Sequence, residues 1–131
     1  MTENVQIVKD MYAAFGRGDI PTILGKLADD VVWEFEGPSS IAFTGVRRGV
    51  AEASGFFAGI AHDHTDPHLE IQSFIGSGDE VAAFGRYAAT MKATGKRVSS
   101  PIAHYWKFRN GKVARYVNLT DTAAFVEGMK A

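Results

Sequence analysis

The sequence predicts an α+β fold in which helices come first and a run of antiparallel strands follows. Three observations carry that reading. Apolar residues recur at helical spacing from Val5 to Leu27 and again from Val50 to Ile60. From Leu69 onward the chain reads as strands separated by the turn signals GSGD, TG and RNG. At 131 residues with 46% hydrophobic content, the chain can build one sizeable core and is short for two, so residues 1–131 are expected to form a single domain.

Taken in order, Val5, Val8, Tyr12 and Phe15 draw one apolar stripe on a first helix that starts near Thr2 and stops before Gly16. Asp19 is placed to cap a second helix, with Pro21 in its first turn and Ile20, Ile23, Leu24 and Leu27 along it. In VVWEFE, Val31, Trp33 and Phe35 alternate with Glu34 and Glu36, which predicts a strand with one buried face ending at Gly37 and Pro38. VAEASGFFAGIAH returns to helical spacing through Val50, Ala53, Phe57 and Ile60, with two glycines that weaken it. LEIQSFI, EVAAFGRYAATMKA, RVSSPIAHYWKF and KVARYVNL then form strands, and TAAFVEGM a short last helix.

Composition removes several functions. Fourteen Lys and Arg balance fifteen Asp and Glu, and no basic cluster exceeds Arg47–Arg48, so neither nucleic acid nor an anionic membrane is an expected partner. The absence of cysteine excludes disulfides, thiolate nucleophiles and thiol zinc sites, and suits a reducing compartment. MTENVQIVKD turns polar too soon for a signal peptide and no apolar run is long enough to span a bilayer; the expectation is a cytoplasmic protein. HDHTDPH gathers three histidines and two aspartates, all metal-ligand types, but at no zinc spacing, and it reads as a solvated loop with no metal.

YAAFGRGDIPTILGKLADDVVWE, GVRRGVAEASGFFAGI and PIAHYWKFRNGKVARYVNLTD together resemble the nuclear-transport-factor-2-like superfamily, and within it the SnoaL-like and ketosteroid-isomerase-like branch. The resemblance covers nearly the whole chain. It implies a cone: a strongly curved, mostly antiparallel sheet wrapped around three helices, with an apolar cavity open at one end and commonly a homodimer through the outer face of the sheet. Members isomerise steroids, cyclise polyketides, hydrolyse epoxides or only bind ligands, so the reaction must be argued from the cavity residues.

Ketosteroid isomerisation in this family needs a carboxylate base and two oxyanion donors, a tyrosine and a protonated aspartic acid. Here the family's PID segment stands as PIA, putting Ala103 where the donor acid belongs; the tyrosine position falls on Met11, beside Tyr12, and the base position on Phe35, with Glu34 and Glu36 one residue away. Authentic steroid isomerisation is therefore not expected.

For the hairpin after Pro101, a turn at Asn110–Gly111 with Arg109 facing Lys112 pairs Ala103 with Asn118 and Tyr105 with Tyr116. That register lines the cavity with Ala103, Tyr105, Tyr116, Asn118 and Thr120, joined by Tyr87, Ala89 and Met91, and turns Ile102, His104, Trp106 and Val117 outward. A bulge at Tyr105 or Trp106 would instead bring His104 in beside Asn118. Trp33, Phe35 and Phe56 supply further walls, or simply core.

Two readings follow. In the first, a small hydrophobic molecule bearing a carbonyl or hydroxyl undergoes cofactor-free proton transfer of isomerase, cyclase or hydrolase type. Asp121, which resembles the proton acceptor of the family's polyketide cyclases, is then the base, and Tyr12, Asn118 or His104 orients the substrate. In the second, the same shape is a noncatalytic ligand-binding or dimeric interaction module, Asp121 caps the last helix and Asn118 is a satisfied core amide. For an epoxide hydrolase, Arg86 and Asp121 are the only remnants of the required acid–arginine–acid set.

Overall fold

The computed structural model describes residues 2–131. Its order is α1 (Thr2–Gly16), α2 (Ile20–Leu24), β1 (Leu27–Phe35), β2 (Gly45–Arg48), α3 (Gly49–Asp63), β3 (His64–Ser77), β4 (Glu80–Met91), β5 (Arg97–Arg109), β6 (Lys112–Thr120) and α4 (Thr122–Gly128). Six strands form one curved open sheet in the order β2-β1-β6-β5-β4-β3. Neighbours run antiparallel except β1 and β6, which are parallel. The α+β class read from the sequence is the observed one.

Helix α1 buries Val8, Met11 and Ala14 completely or nearly so, with Tyr12 and Phe15 at the margin of the same stripe. Asp19 caps α2, its carboxylate accepting from the Thr22 N–H and hydroxyl at 3.3 and 2.6 Å. The helix is shorter than the apolar spacing suggested, because Leu27 already belongs to β1. Strand β2 was not foreseen: GVRR is short, mostly exposed and carries no apolar alternation, so only its pairing with Val32–Phe35 marks it as a strand.

Two irregularities decide which side chains face the core. Strand β3 starts at His64 rather than Leu69. The HTDPH stretch is thus an edge strand bent at Asp66 (φ 51°), where Pro67 needs no ladder partner. On β6, Phe108 pairs with Val113 but Lys107 pairs with Arg115, leaving Ala114 as an extra residue. The turn is the expected one, Asn110 and Gly111 both at positive φ and Arg109 opposite Lys112. Beyond the bulge the register moves by one, so His104 faces Asn118 and Trp106 faces Tyr116.

The core is an aromatic layer between the inner face of the sheet and helices α1, α3 and α4. Trp33 stacks on Tyr116 with centroids 3.9 Å apart and meets Phe56, Phe57 and Trp106 edge-on or tilted. Each buried ring contributes about 1.5–3 kcal/mol of burial. Gly85 on β4 leaves no room for a side chain against β3: a Cβ there would lie 1.9 Å from the Glu70 carbonyl oxygen.

Candidate functional site

A cavity of about 70 Å³ lies within this aromatic layer, small beside the roughly 300 Å³ at which sites for drug-sized molecules begin. Its walls come from α1, α2, β1, α3, β3, β4, β5, β6 and α4, with Phe43 from the segment between β1 and β2, and no aspartate or glutamate is among the described residues that line it. Polar groups enter from two sides.

The first group is set by the β6 bulge. His104, 6% exposed, is hydrogen-bonded through Nδ1 to the Tyr12 hydroxyl at 2.7 Å, and the Trp106 Nε1–H donates to the same hydroxyl oxygen at 3.1 Å. An indole N–H can only donate, so the arrangement that satisfies all three groups has Trp106 donate to Tyr12 and Tyr12 donate to Nδ1. The proton of the imidazole then sits on Nε2, which has no partner among the described residues. Desolvation alone drives the His104 pKa down to about 3, so the ring is neutral near pH 7. Burial raises the Tyr12 phenol well above its usual range, with the Trp106 bond a smaller opposing effect, and that phenol too stays protonated.

Next to it, the Asn118 amide donates to the Tyr116 hydroxyl oxygen at 2.7 Å, and the Thr120 hydroxyl donates to the Asn118 carbonyl at 2.6 Å. Tyr116 is fully buried and its pKa is raised by desolvation, so its own O–H keeps its proton and has no acceptor among the described residues. The Trp33 Nε1–H is likewise buried without a partner. Three donors, His104 Nε2–H, Tyr116 O–H and Trp33 Nε1–H, therefore lack protein acceptors at this end of the core.

The second group was missed in the sequence. His64, only 4% exposed, bonds through Nδ1 to the Tyr87 hydroxyl at 2.9 Å, stacks on Phe125 and meets Phe43 edge-on. Its Nε2 is buried with no partner. Desolvation lowers its pKa, partly countered by the Asp63 carboxylate, which favours the neutral ring. The only signal in the sequence was the histidine itself, inside a stretch whose other histidines, His62 and His68, are exposed.

Of the residues singled out from the sequence, Tyr12, Trp33, Phe35, Phe56, Tyr87 and His104 line the cavity, as do Tyr116 and Asn118. Ala103 and Tyr105 do not: the Ala114 bulge pairs His104 and Trp106 with Asn118 and Tyr116 in their place, and by strand alternation they face outward, where Ala103 faces Leu119 and Tyr105 donates to Glu80. Ile102, His104 and Trp106, expected outside, are inside for the same reason. Met91 is buried beyond the end of the cavity, against Val98 and Gly128 of α4. Asp121 is exposed on the outer side of the sheet beside Pro101, Ala103 and Leu119, since the chain has already left β6 when it reaches this residue. It stands at the N-cap position of α4 as expected, but its carboxylate makes no capping bond there, and it does not line the cavity. No group of three His, Asp or Glu side chains among the described residues is arranged to hold a metal ion.

The family model described as "SnoaL-like domain" matches residues 8–116. An NTF2-like protein of unknown function from Burkholderia pseudomallei superposes with a TM-score of 0.93 at 30% identity, all of both chains being covered. An NTF2-like protein from Burkholderia thailandensis superposes at 0.90 with 26% identity over 98% of each chain. TerC, crystallised with polyporic acid, superposes at 0.89 with 28% identity over 98% of this chain and 99% of its own. No curated protein matches the chain.

Proposed function

The chain belongs to the SnoaL-like family and has its NTF2-like fold, and from that premise we propose that the cavity binds a small aromatic or otherwise hydrophobic molecule through a carbonyl oxygen directed at His104. The observation that supports this is the surplus of donors: Trp33 Nε1–H is buried with no partner, and His104 Nε2–H and Tyr116 O–H line the same apolar enclosure with no acceptor among the described residues. Buried donors left without partners are costly, and a ligand oxygen relieves them. Oxygen acceptors fit; ammonium groups do not, because no carboxylate lines the walls.

The same donors would strengthen as charge develops on that oxygen, which is the way a preorganised site lowers the barrier to enolisation, and the α-proton would pass to a water molecule entering with the ligand, since no carboxylate lines the walls. This is cofactor-free chemistry of isomerase, cyclase or hydrolase type, with the neutral His104 as a hydrogen-bond donor to the carbonyl and Tyr12 and Trp106 holding its tautomer. A second reading, a noncatalytic binding module, is favoured by the position of Asp121 outside the cavity and by the engagement of the His104 lone pair with Tyr12. In either reading the partner is a second copy of the chain. It would dock on the outer face of the sheet, where exposed Phe84 and Leu119 flank Ala103 in one row across β4, β5 and β6.

Acetophenone labelled with carbon-13 at the carbonyl tests the site, and polyporic acid, the compound crystallised with TerC, serves as a second probe. A carbonyl stretch shifted to lower frequency on binding, and restored in His104→Phe, is the expected result; an unshifted stretch sinks the reading. Exchange of the ketone's methyl protons with heavy water, accelerated by the protein, marks an enzyme. A shifted stretch without accelerated exchange marks the binding module.

A further inference from the structure

We propose that the cavity reads its ligand at both ends, and that the unpartnered Nε2 of His64 is the second reading point, selecting molecules that carry a hydroxyl group opposite the carbonyl. The inference rests on the carbonyl site at His104 and adds a specificity determinant to it. His104 pairs with Ala83 on β4, while Tyr87, the partner of His64, lies four residues further along the same strand. That separates the two polar groups by about 13 Å of backbone, a distance that inward-reaching side chains shorten. Both His104 and His64 line the one cavity, and Phe43, which meets His64 edge-on, packs against Phe35 in the same wall.

The required chemistry follows from what His64 can offer. Its Nδ1 is taken by the Tyr87 hydroxyl, and unlike Tyr12, Tyr87 has no indole donor to fix which way that bond runs. If the phenol donates, Nε2 carries the proton and needs an acceptor; if the phenol accepts, Nε2 is a lone pair and needs a donor. A hydroxyl group is both, so it satisfies either tautomer. A second carbonyl satisfies only one, and an apolar end satisfies neither and leaves a buried imidazole nitrogen unpaired. The ring surfaces around it, Phe125 stacked on the imidazole and Phe43 at its edge, favour a hydroxyl borne on an aromatic ring. The preferred ligand is thus a one- or two-ring phenol with a carbonyl at its far end, and because the cavity at rest is only about 70 Å³, its aromatic walls must part to admit it.

Two pairs of probes test this: 4-hydroxyacetophenone against acetophenone, and 6-hydroxy-2-acetylnaphthalene against 2-acetylnaphthalene. In at least one pair the hydroxyl should tighten binding to the intact protein by about tenfold, and the advantage should vanish in His64→Phe, whose ring keeps the contacts with Phe43 and Phe125. Nitrogen-15 resonances of His64 in the unmutated protein give a readout that needs no variant: Nε2 should shift with the hydroxylated member and stay in place with its partner. Equal affinity within both pairs, or an Nε2 that ignores the hydroxyl, overturns the second reading point while a shifted carbonyl stretch keeps the His104 site. Failure of all four probes to bind overturns both.

Discussion

The Tyr12 hydroxyl on α1 stands 2.7 Å from Nδ1 of His104 on β5 and 3.1 Å from Nε1 of Trp106, so one phenol ties the first helix to two inward rings of the long hairpin. Replacing it with phenylalanine strands an indole N–H and an imidazole nitrogen in the core at almost no change in volume. Tyr12→Phe should lower stability by about 1–3 kcal/mol, read as a shift in denaturant midpoint at constant slope. It should also release the His104 tautomer, seen as nitrogen-15 shifts moving toward a mixture of the two forms. Unchanged shifts would mean that the phenol does not hold the ring.

Acid should destabilise the protein in a window set by the same histidine. The unfolded chain takes up the His104 proton near 6.5 and the folded chain only near 3, so between those values the unfolded state binds more protons and stability falls as pH falls. The full loss is reached below about pH 3. His64, whose pKa is also lowered, adds to the loss with the same sign. Chemical denaturation at a series of pH values should show this slope flattened in His104→Gln; an identical slope in the variant would assign the acid sensitivity elsewhere.

The fold was legible because its signals are local and periodic. The stripe from Val5 to Phe15, the cap at Asp19, the alternation around Trp33 and the Asn110–Gly111 turn each depend on neighbours a few residues away. The site was legible only in part, for a reason contained in one residue. Ala114 carries no mark of being a bulge, yet its insertion shifts the pairing by one, so that Tyr116 and Asn118 share the inner face with Trp106 and His104 rather than with Tyr105 and Ala103. His64 was hidden differently: HTDPH looks like a polar loop because proline and aspartate interrupt it. Only the pairing of His64 with Met91 across the sheet makes it a strand with one side chain inside.

Gly85 should prove intolerant of any side chain. A Cβ would lie 1.9 Å from the Glu70 carbonyl oxygen and 2.8 Å from the Ile71 Cα, and both are backbone atoms that cannot swing aside. The register shift between Ile71 and Ser73 lies beside this contact, so relief would require pulling β3 away from β4. Gly85→Ala is expected to cost about 2–4 kcal/mol, far above the few tenths usual for a tolerated glycine-to-alanine change in a strand. A melting temperature within a degree or two of the parent would show that the two strands are not held this close.

The proposed dimer makes a separate prediction. Light scattering on the purified protein should give twice the chain mass, and Phe84→Glu, a charge placed at one end of the exposed Phe84–Ala103–Leu119 row, should return it to a monomer. A monomeric parent, or a dimer indifferent to the charge, would remove the outer face as the interface. Carbonyl binding in the cavity should survive the variant, because Phe84 points away from His104.

Asp121 gives the sharpest contrast between what the resemblance implies and where the side chain stands. A proton acceptor must reach the atom it deprotonates, and this carboxylate is exposed on the opposite side of the sheet from the three unpartnered donors. Nor does it accept a capping bond from α4; the backbone N–H of the same residue donates instead to the Ser100 hydroxyl at 2.9 Å. Asp121→Asn should therefore leave stability within about 0.5 kcal/mol and the carbonyl shift of bound acetophenone untouched. If the protein accelerates exchange of the ketone's protons, the variant should do so equally well. Loss of that exchange with folding intact would bring the carboxylate back as the base, and would require α4 to move so that Asp121 enters the cavity during turnover.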